Sequence, residues 1–330
     1  MVSFMRSLSP PDQVGLLFVL LFGLLATASI AFLLWSLRDA GDTASGSPSA
    51  RLRLQEDLRV LLRSSWIMAV VFWIAWALGD GMATLLFALV SFLILREFIS
   101  LSPTRRGDHR SLLLAFFAIL PFQYLLVWTR HFDLFTVFIP VYAFLGVAVV
   151  SAFGNDAQRF LERNAKLQWG IMVCVYGMSH VPALMMIDAP RLTGREAFLV
   201  FFLVLVVQTC MLVQHLSARG QHRPAVPGIS SGFGWRSWGW GLLAGSLLGV
   251  ALAGLTPFPP LMALLMALLA CVAGSLGHLV MKAIKRDRGV TNWGAASRSL
   301  TGASGLLDRT DALCFAAPVF FHAVRWSLQG

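Results

Sequence analysis

Apolar stretches long enough to cross a bilayer recur from one end of the chain to the other, and no other feature restricts its fold so tightly. They cover Val14–Leu37, Trp66–Leu78, Met82–Leu95, Ser111–Trp128, Phe132–Ala152, Lys166–Ile187, Ala197–Leu216, Trp238–Leu255, Leu261–Met281 and Ala312–Leu328. A hydrocarbon core about 30 Å thick needs about 20 apolar helical residues. Inside lipid every backbone polar group must be satisfied within the protein, which leaves helices as the reading for runs of this length. Charged residues make up only 13% of the chain and hydrophobic ones 57%, far from the roughly 25% charge of soluble domains. The expected fold is therefore an all-α, polytopic membrane helical bundle of about nine to ten transmembrane segments.

The second and third runs are short and flank Gly79-Asp80-Gly81, so they form either a tight hairpin or two tilted, partly buried segments. Ala50 to Ser65 places Leu54, Leu58, Leu61 and Leu62 on one helical face with arginines at its borders, as expected of a helix lying on the membrane surface. Residues 39–48 read as a linker. This divides the chain into an N-terminal segment with its linker, 1–49, and a membrane domain, 50–330. Val14–Leu37 is too long for a signal-peptide core and reads as a retained first span.

Loop charge orients the spans. The loops 38–65, 96–110, 153–166, 217–237 and 282–310 carry 21 of the 26 Lys and Arg residues. By the positive-inside rule these loops are cytoplasmic and the N-terminus lies outside. The formal net charge of +10 thus reflects topology and contact with membrane lipids, and no nucleic acid is implied. Cys174, Cys210, Cys271 and Cys314 all lie in apolar runs without C-x-x-C spacing, as small packing residues.

The densest polar stretch is Gly274 to Asp311, on the cytoplasmic side. Asp308 and Asp311, three apart on a helix, share a face. Two close carboxylates need positive charge between them: Mg²⁺ would supply it, whereas a plain acidic helix N-terminus is the simpler alternative. Lys285, Arg286 and Arg288 follow a span, where they serve as membrane anchors or as phosphate ligands. Gly302 and Gly305 would let the backbone approach a phosphate closely.

Lys285-Arg286, four residues, positions 291 and 292, a Gly-rich turn and Asp308-Arg309-x-Asp311 together resemble the C-terminal signature of the CTP:phosphatidate cytidylyltransferases (CDP-diacylglycerol synthases). Leu95-Arg96-Glu97-Phe98, the run from Pro103 to Arg110 and the run from Phe315 to His322 are also similar to the family's longer bacterial branch, over about residues 60–328. The resemblance implies an integral protein of the bacterial inner membrane with a tendency to form a homodimer. It implies a nucleotidyltransferase that makes CDP-diacylglycerol and pyrophosphate from CTP and phosphatidate, with Mg²⁺ as cofactor. It assigns Asp308, Asp311 and Lys285 to catalysis, and Asp308, Asp311 and Asn292 to the metal. Phosphate binding falls to Arg286, Lys282, Arg309, Gly302, Gly305 and Arg236.

This chain departs from the family pattern at several positions. Thr291-Asn292 stands where the family has Lys-Asp, and Gly302-Ala303-Ser304-Gly305 where it has Gly-His-Gly-Gly. Gly277-His278-Leu279 replaces Gly-Asp-Leu, and Lys282 replaces the signature serine. The family's intramembrane Asn-Asp aligns with Cys210-Met211, and its Lys- and Glu-bearing loop with residues 230–237. Two outcomes follow: a divergent transferase in which Lys282, Arg236 or His278 takes over lost roles, or an inactive relative that binds a lipid phosphate without nucleotide turnover. His278 by itself reads as a packed or snorkelling polar residue. Glu97 either pairs locally, with Arg96 or a neighbouring loop, or belongs to the site. Trp235, Trp238 and Trp240 fit an aromatic belt. His180, His215 and His322 have no metal-ligand spacing, and no span is expected to show a G-x-x-x-G face for self-association.

Overall fold

In the computed structural model the described residues are 10–39, 48–101, 105–188, 196–218, 224–230, 232–290, 293 and 305–329. Secondary structure among them is helical apart from one isolated bridge between Val226 and Ser230. The chain divides into two compact units, Met1–Gly79 and Asp80–Gly330. Among the described residues six helices are long and apolar enough to cross a membrane. The expected all-α polytopic membrane bundle is the observed architecture.

The first unit pairs α1 (Pro10–Asp39) with α2 (Pro48–Ala77). Phe18 packs on Phe72 and Trp76, Phe22 stacks on Trp66, and the Trp66 indole donates to Ser29 Oγ at 3.1 Å. The two helices therefore run antiparallel. The expected surface helix and the short second run are not separate: residues 48–77 form one continuous helix, because Ser64-Ser65 contains no Pro or Gly to break it. The helix ends where Gly79 adopts φ +83°, a conformation that costs glycine little.

The second unit holds α3 (Asp80–Ser100), α4 (Arg106–Trp128), α5 (Phe132–Ala152) and α6, in which Phe160–Gly170, Ile171–Gly177 and Met178–Met185 run on as one helix. They are followed by α7 (Glu196–Ala218), α8 (Trp235–Ala251), α9 (Pro260–Asp287) and α10 (Leu307–Gln329). Wide π-helical turns occur in α4, α5 and α6. The one in α4 ends just before Pro121 and the one in α5 contains Pro140, where a missing N–H leaves the local ladder without one bond.

Small residues set how closely the helices approach. A G-x-x-x-G face does exist, contrary to expectation: Gly241, Gly245 and Gly249 on α8. It is spent inside the unit, where a Cβ at each position would collide with Cys210, Cys271 or Ala267. Gly274 and Gly277 bring α9 against α10 in the same way. A Cβ on Gly277 would lie 2.1 Å from the Phe315 ring. Pro318 has no N–H for the Cys314 carbonyl, and α6 approaches α10 at that carbonyl through Gly177, with a hypothetical Cβ only 2.3 Å from the oxygen. Close backbones of this kind are the usual substitute for hydrophobic driving force between helices in lipid. All four cysteines are buried and free, as expected of packing residues.

Candidate active site

The close approach of α9 and α10 brings their charged ends together. On α9, His278, Lys282 and Lys285 are four and three residues apart and share a face. On α10, Asp308 and Asp311 share the facing side. Lys285 Nζ lies 2.5 Å from Asp308 Oδ1, and His278 Nδ1 lies 2.7 Å from Asp311 Oδ2. Both outer carboxylate oxygens are also occupied. Asp308 Oδ2 accepts the Trp293 backbone N–H at 2.9 Å, and Asp311 Oδ1 accepts that of Ala312 at 2.7 Å. Asp311 and Lys285 are buried, which strengthens each pair electrostatically but makes an unmatched partner costly.

Lys282 lies between the two pairs, within electrostatic reach of Lys285 and Asp311. Among the described residues its ammonium has no hydrogen bond or ion pair. Gly305 adopts φ +83° at the turn into α10, beside Asp308. Other expected ligands are elsewhere. Arg286 is exposed, and its Nη1 donates to the Pro227 carbonyl at 3.1 Å. Arg236 is exposed on the first turn of α8 and, among the described residues, makes no contact with the acids. Arg309 lies within electrostatic range of Glu97. Gly302 and Asn292 lie outside the described residues, as do Thr291, Ala303 and Ser304.

For two residues that the sequence leaves open, the structure shows the partner. His278 is not an isolated packed residue but the partner of Asp311. The signal was its place seven residues before Lys285, on the same helical face. Glu97 does not pair with Arg96: its carboxylate accepts the backbone N–H of Gly305 and, at 2.8 Å, that of Leu307. No local pattern could indicate a contact spanning more than 200 residues of sequence. Trp293 also belongs here, fully buried with its ring 5.3 Å from that of Phe98.

A Mg²⁺ ion takes one or two carboxylates and completes its octahedral shell with water and substrate phosphates. Each oxygen of Asp308 and Asp311 already accepts a protein donor. No group of three or more His, Cys, Asp and Glu able to hold a metal occurs among the described residues. Among the described residues the acid pair is held by protein donors, and Asn292, the third expected ligand, lies outside them.

A second polar cluster, at the α4–α6 side of the unit, is a latch. Arg163 Nε lies 3.0 Å from Asp108, and its Nη1 lies 2.8 Å from Asp156. The backbone N–H of Gln158, together with Arg163 and Arg105, holds the Asp156 carboxyl below its usual range.

With this geometry in view, comparison with known proteins decides the family. The cytidylyltransferase family model matches residues 59–327. The chain belongs to the cytidylyltransferase family. It is also 33% identical over 317 residues to the uncharacterized protein YnbB of Escherichia coli (strain K12), covering 94% of this chain and 96% of that protein. A shorter likeness, 36% over 104 residues, covers 30% of this chain and 31% of a phosphatidate cytidylyltransferase of Mycobacterium leprae (strain TN). The family match takes in α9, α10 and the α3 turn that bears Glu97, so every element of the cluster lies within it.

Proposed function

We propose that this protein transfers a cytidylyl group from CTP to phosphatidate. A phosphatidate oxygen attacks the α-phosphorus of CTP, a new P–O bond forms, the Pα–O–Pβ bond breaks, and pyrophosphate leaves with the electron pair. The products are CDP-diacylglycerol and pyrophosphate. The observation that carries this reading is the facing of His278, Lys282 and Lys285 by Asp308 and Asp311 at one end of a membrane bundle.

Each group has a role that its surroundings support. Lys282, without a carboxylate of its own, receives phosphate oxygens. Lys285 is held by Asp308 through one N–H and keeps two for the same anion. Preorganised cations of this kind stabilise charge as it builds in the transition state, where exclusion of water makes them most effective. Asp308 and Asp311 act through Lys285 and His278, keeping them oriented. Mg²⁺ would supply charge neutralisation on the CTP phosphates, next to Asp308 and Asp311, which hold Lys285 and His278.

The basic loops support a cytoplasmic site and an outside N-terminus, in the bacterial inner membrane. Arg105, Arg163, Lys166, Lys285 and Arg286 all belong to the loops and helix ends on the same side as the acids. CTP would reach this side from solution, and a lipid phosphate would reach it from within the headgroup layer.

The occupied aspartates, together with Thr291-Asn292 and Ala303-Ser304, also favour a second reading: a relative that binds a lipid phosphate without nucleotide turnover. Purified protein in phosphatidate-containing nanodiscs, given labelled CTP and Mg²⁺, separates the two. The transfer reading requires a labelled lipid that is absent with Lys285→Ala. Saturable phosphatidate binding without that product supports the second.

A further inference from the structure

We infer that Glu97 is the positioning residue of the candidate active site: reaching from α3, it fixes the turn that delivers Asp308 to Lys285. This deepens the cytidylyl-transfer reading and rests on it for its kinetic consequence, though not for its structural one.

Three observations support it. Glu97 is buried, yet among the described residues its carboxylate touches no cation at hydrogen-bond distance. It accepts instead the N–H groups of Gly305 and Leu307. These amides sit at and just before the start of α10, where intrahelical acceptors are missing and the helix dipole favours an anion. Second, the neighbouring residue holds the other limb of the same segment. Phe98 packs on Trp293, and the Trp293 backbone N–H donates to Asp308 Oδ2. One turn of α3 thus grips the chain both before and after residues 294–304. Third, Gly305 is in the left-handed region, so the peptide presented to Glu97 belongs to the turn that aims Asp308.

A buried carboxylate that accepts two N–H groups has both oxygens committed, and substitution by an amide tests this directly. In Glu97→Gln, one acceptor becomes an NH₂ group that cannot accept a backbone N–H. Hydrogen exchange of the full-length protein in nanodiscs, followed by mass spectrometry, should show the peptide covering 305–311 exchanging about tenfold faster, as expected for one lost buried hydrogen bond. Peptides from α7 and α8 should be unchanged. Glu97→Asp, which keeps the charge but shortens the reach by one methylene, should give a smaller acceleration and guards against a Gln variant that fails to fold.

In the transfer assay, Glu97→Gln should lower kcat by about 10²-fold, the scale of a misplacement near 1 Å. KM for CTP should stay within about twofold, the pattern of an interaction that matters in the transition state. Unchanged exchange at 305–311 would overturn the inference, as would acceleration spread evenly over the second unit. So would local acceleration with wild-type kcat. If the wild-type protein makes no CDP-lipid, the transfer reading fails, and the exchange measurement still decides whether Glu97 sets this turn.

Discussion

His278 Nδ1 lies 2.7 Å from Asp311 Oδ2, the imidazole of one helix facing the buried carboxylate of the next. Replacing His278 with Leu leaves that carboxylate with the Ala312 N–H alone. An unsatisfied buried group of this kind costs about 1–3 kcal/mol, so the thermal midpoint in detergent should fall. Adding Asp311→Asn should restore part of the loss, because the neutral amide is cheaper to leave unpaired. A double-mutant cycle reads the coupling directly, and additive effects would show that the contact is energetically idle.

Lys285→Ala removes the partner of Asp308 and a phosphate ligand at once. CDP-lipid formation should fall by about 10²–10³-fold, the scale of losing one preorganised stabiliser of transition-state charge. Lys285→Arg should restore little, since a planar guanidinium does not reproduce a compact ammonium at this spacing. Initial rates with labelled CTP measure both variants.

Mg²⁺ dependence should follow the nucleotide. Activity should rise with Mg²⁺ until CTP is complexed and then level off, and chelation should abolish it. Without CTP, Mn²⁺ titrated into the protein and followed by electron paramagnetic resonance should reveal no tight site. A stoichiometric site lost in Asp308→Asn would show instead that the aspartates exchange Lys285 and His278 for a metal.

Gly177→Ala should be poorly tolerated. Its Cβ would sit 2.3 Å from the Cys314 carbonyl oxygen, a backbone atom that cannot rotate away. Overpacking at such a contact costs about 1–3 kcal/mol. Gly146→Ala, where a Cβ meets nothing within 4 Å, is the control. Size-exclusion profiles and thermal midpoints should separate the two.

The Asp156 latch predicts a pH dependence. Its folded-state carboxyl is held below the usual range, first by the Gln158 N–H and then by Arg163 and Arg105. The stabilisation is therefore complete above the unfolded value, about 4, and is lost as pH falls through the lower folded one. Thermal midpoints of wild type and Asp156→Asn should differ at neutral pH and converge in acid. A constant gap would remove the ionised carboxylate from the explanation.

Much of this protein was legible in its sequence because the deciding patterns are local. Span length and the three-residue spacing of Asp308 and Asp311 are each read within a single run of residues. The resemblance that led to the family also rests on short runs. The same locality misled at residues 64–65, where a change from amphipathic to apolar composition suggested a break that the backbone does not make.

What only the tertiary structure decided is which groups meet. Spacing put Asp308 and Asp311 on one face, but the helix opposite determined that Lys285 and His278 answer them, and that approach depends on Gly274 and Gly277 bringing two backbones together. Each of the two acids meets a partner on α9 because Lys285 and His278 stand at matching heights along that helix. Arg286 reads like its neighbour Lys285, yet it turns to Pro227, since adjacent helical residues point about 100° apart. Glu97 was ambiguous for the same physical reason. A carboxylate's role is set by the donors that reach it, and here those donors are the amides of Gly305 and Leu307, brought from the far end of the chain by packing alone.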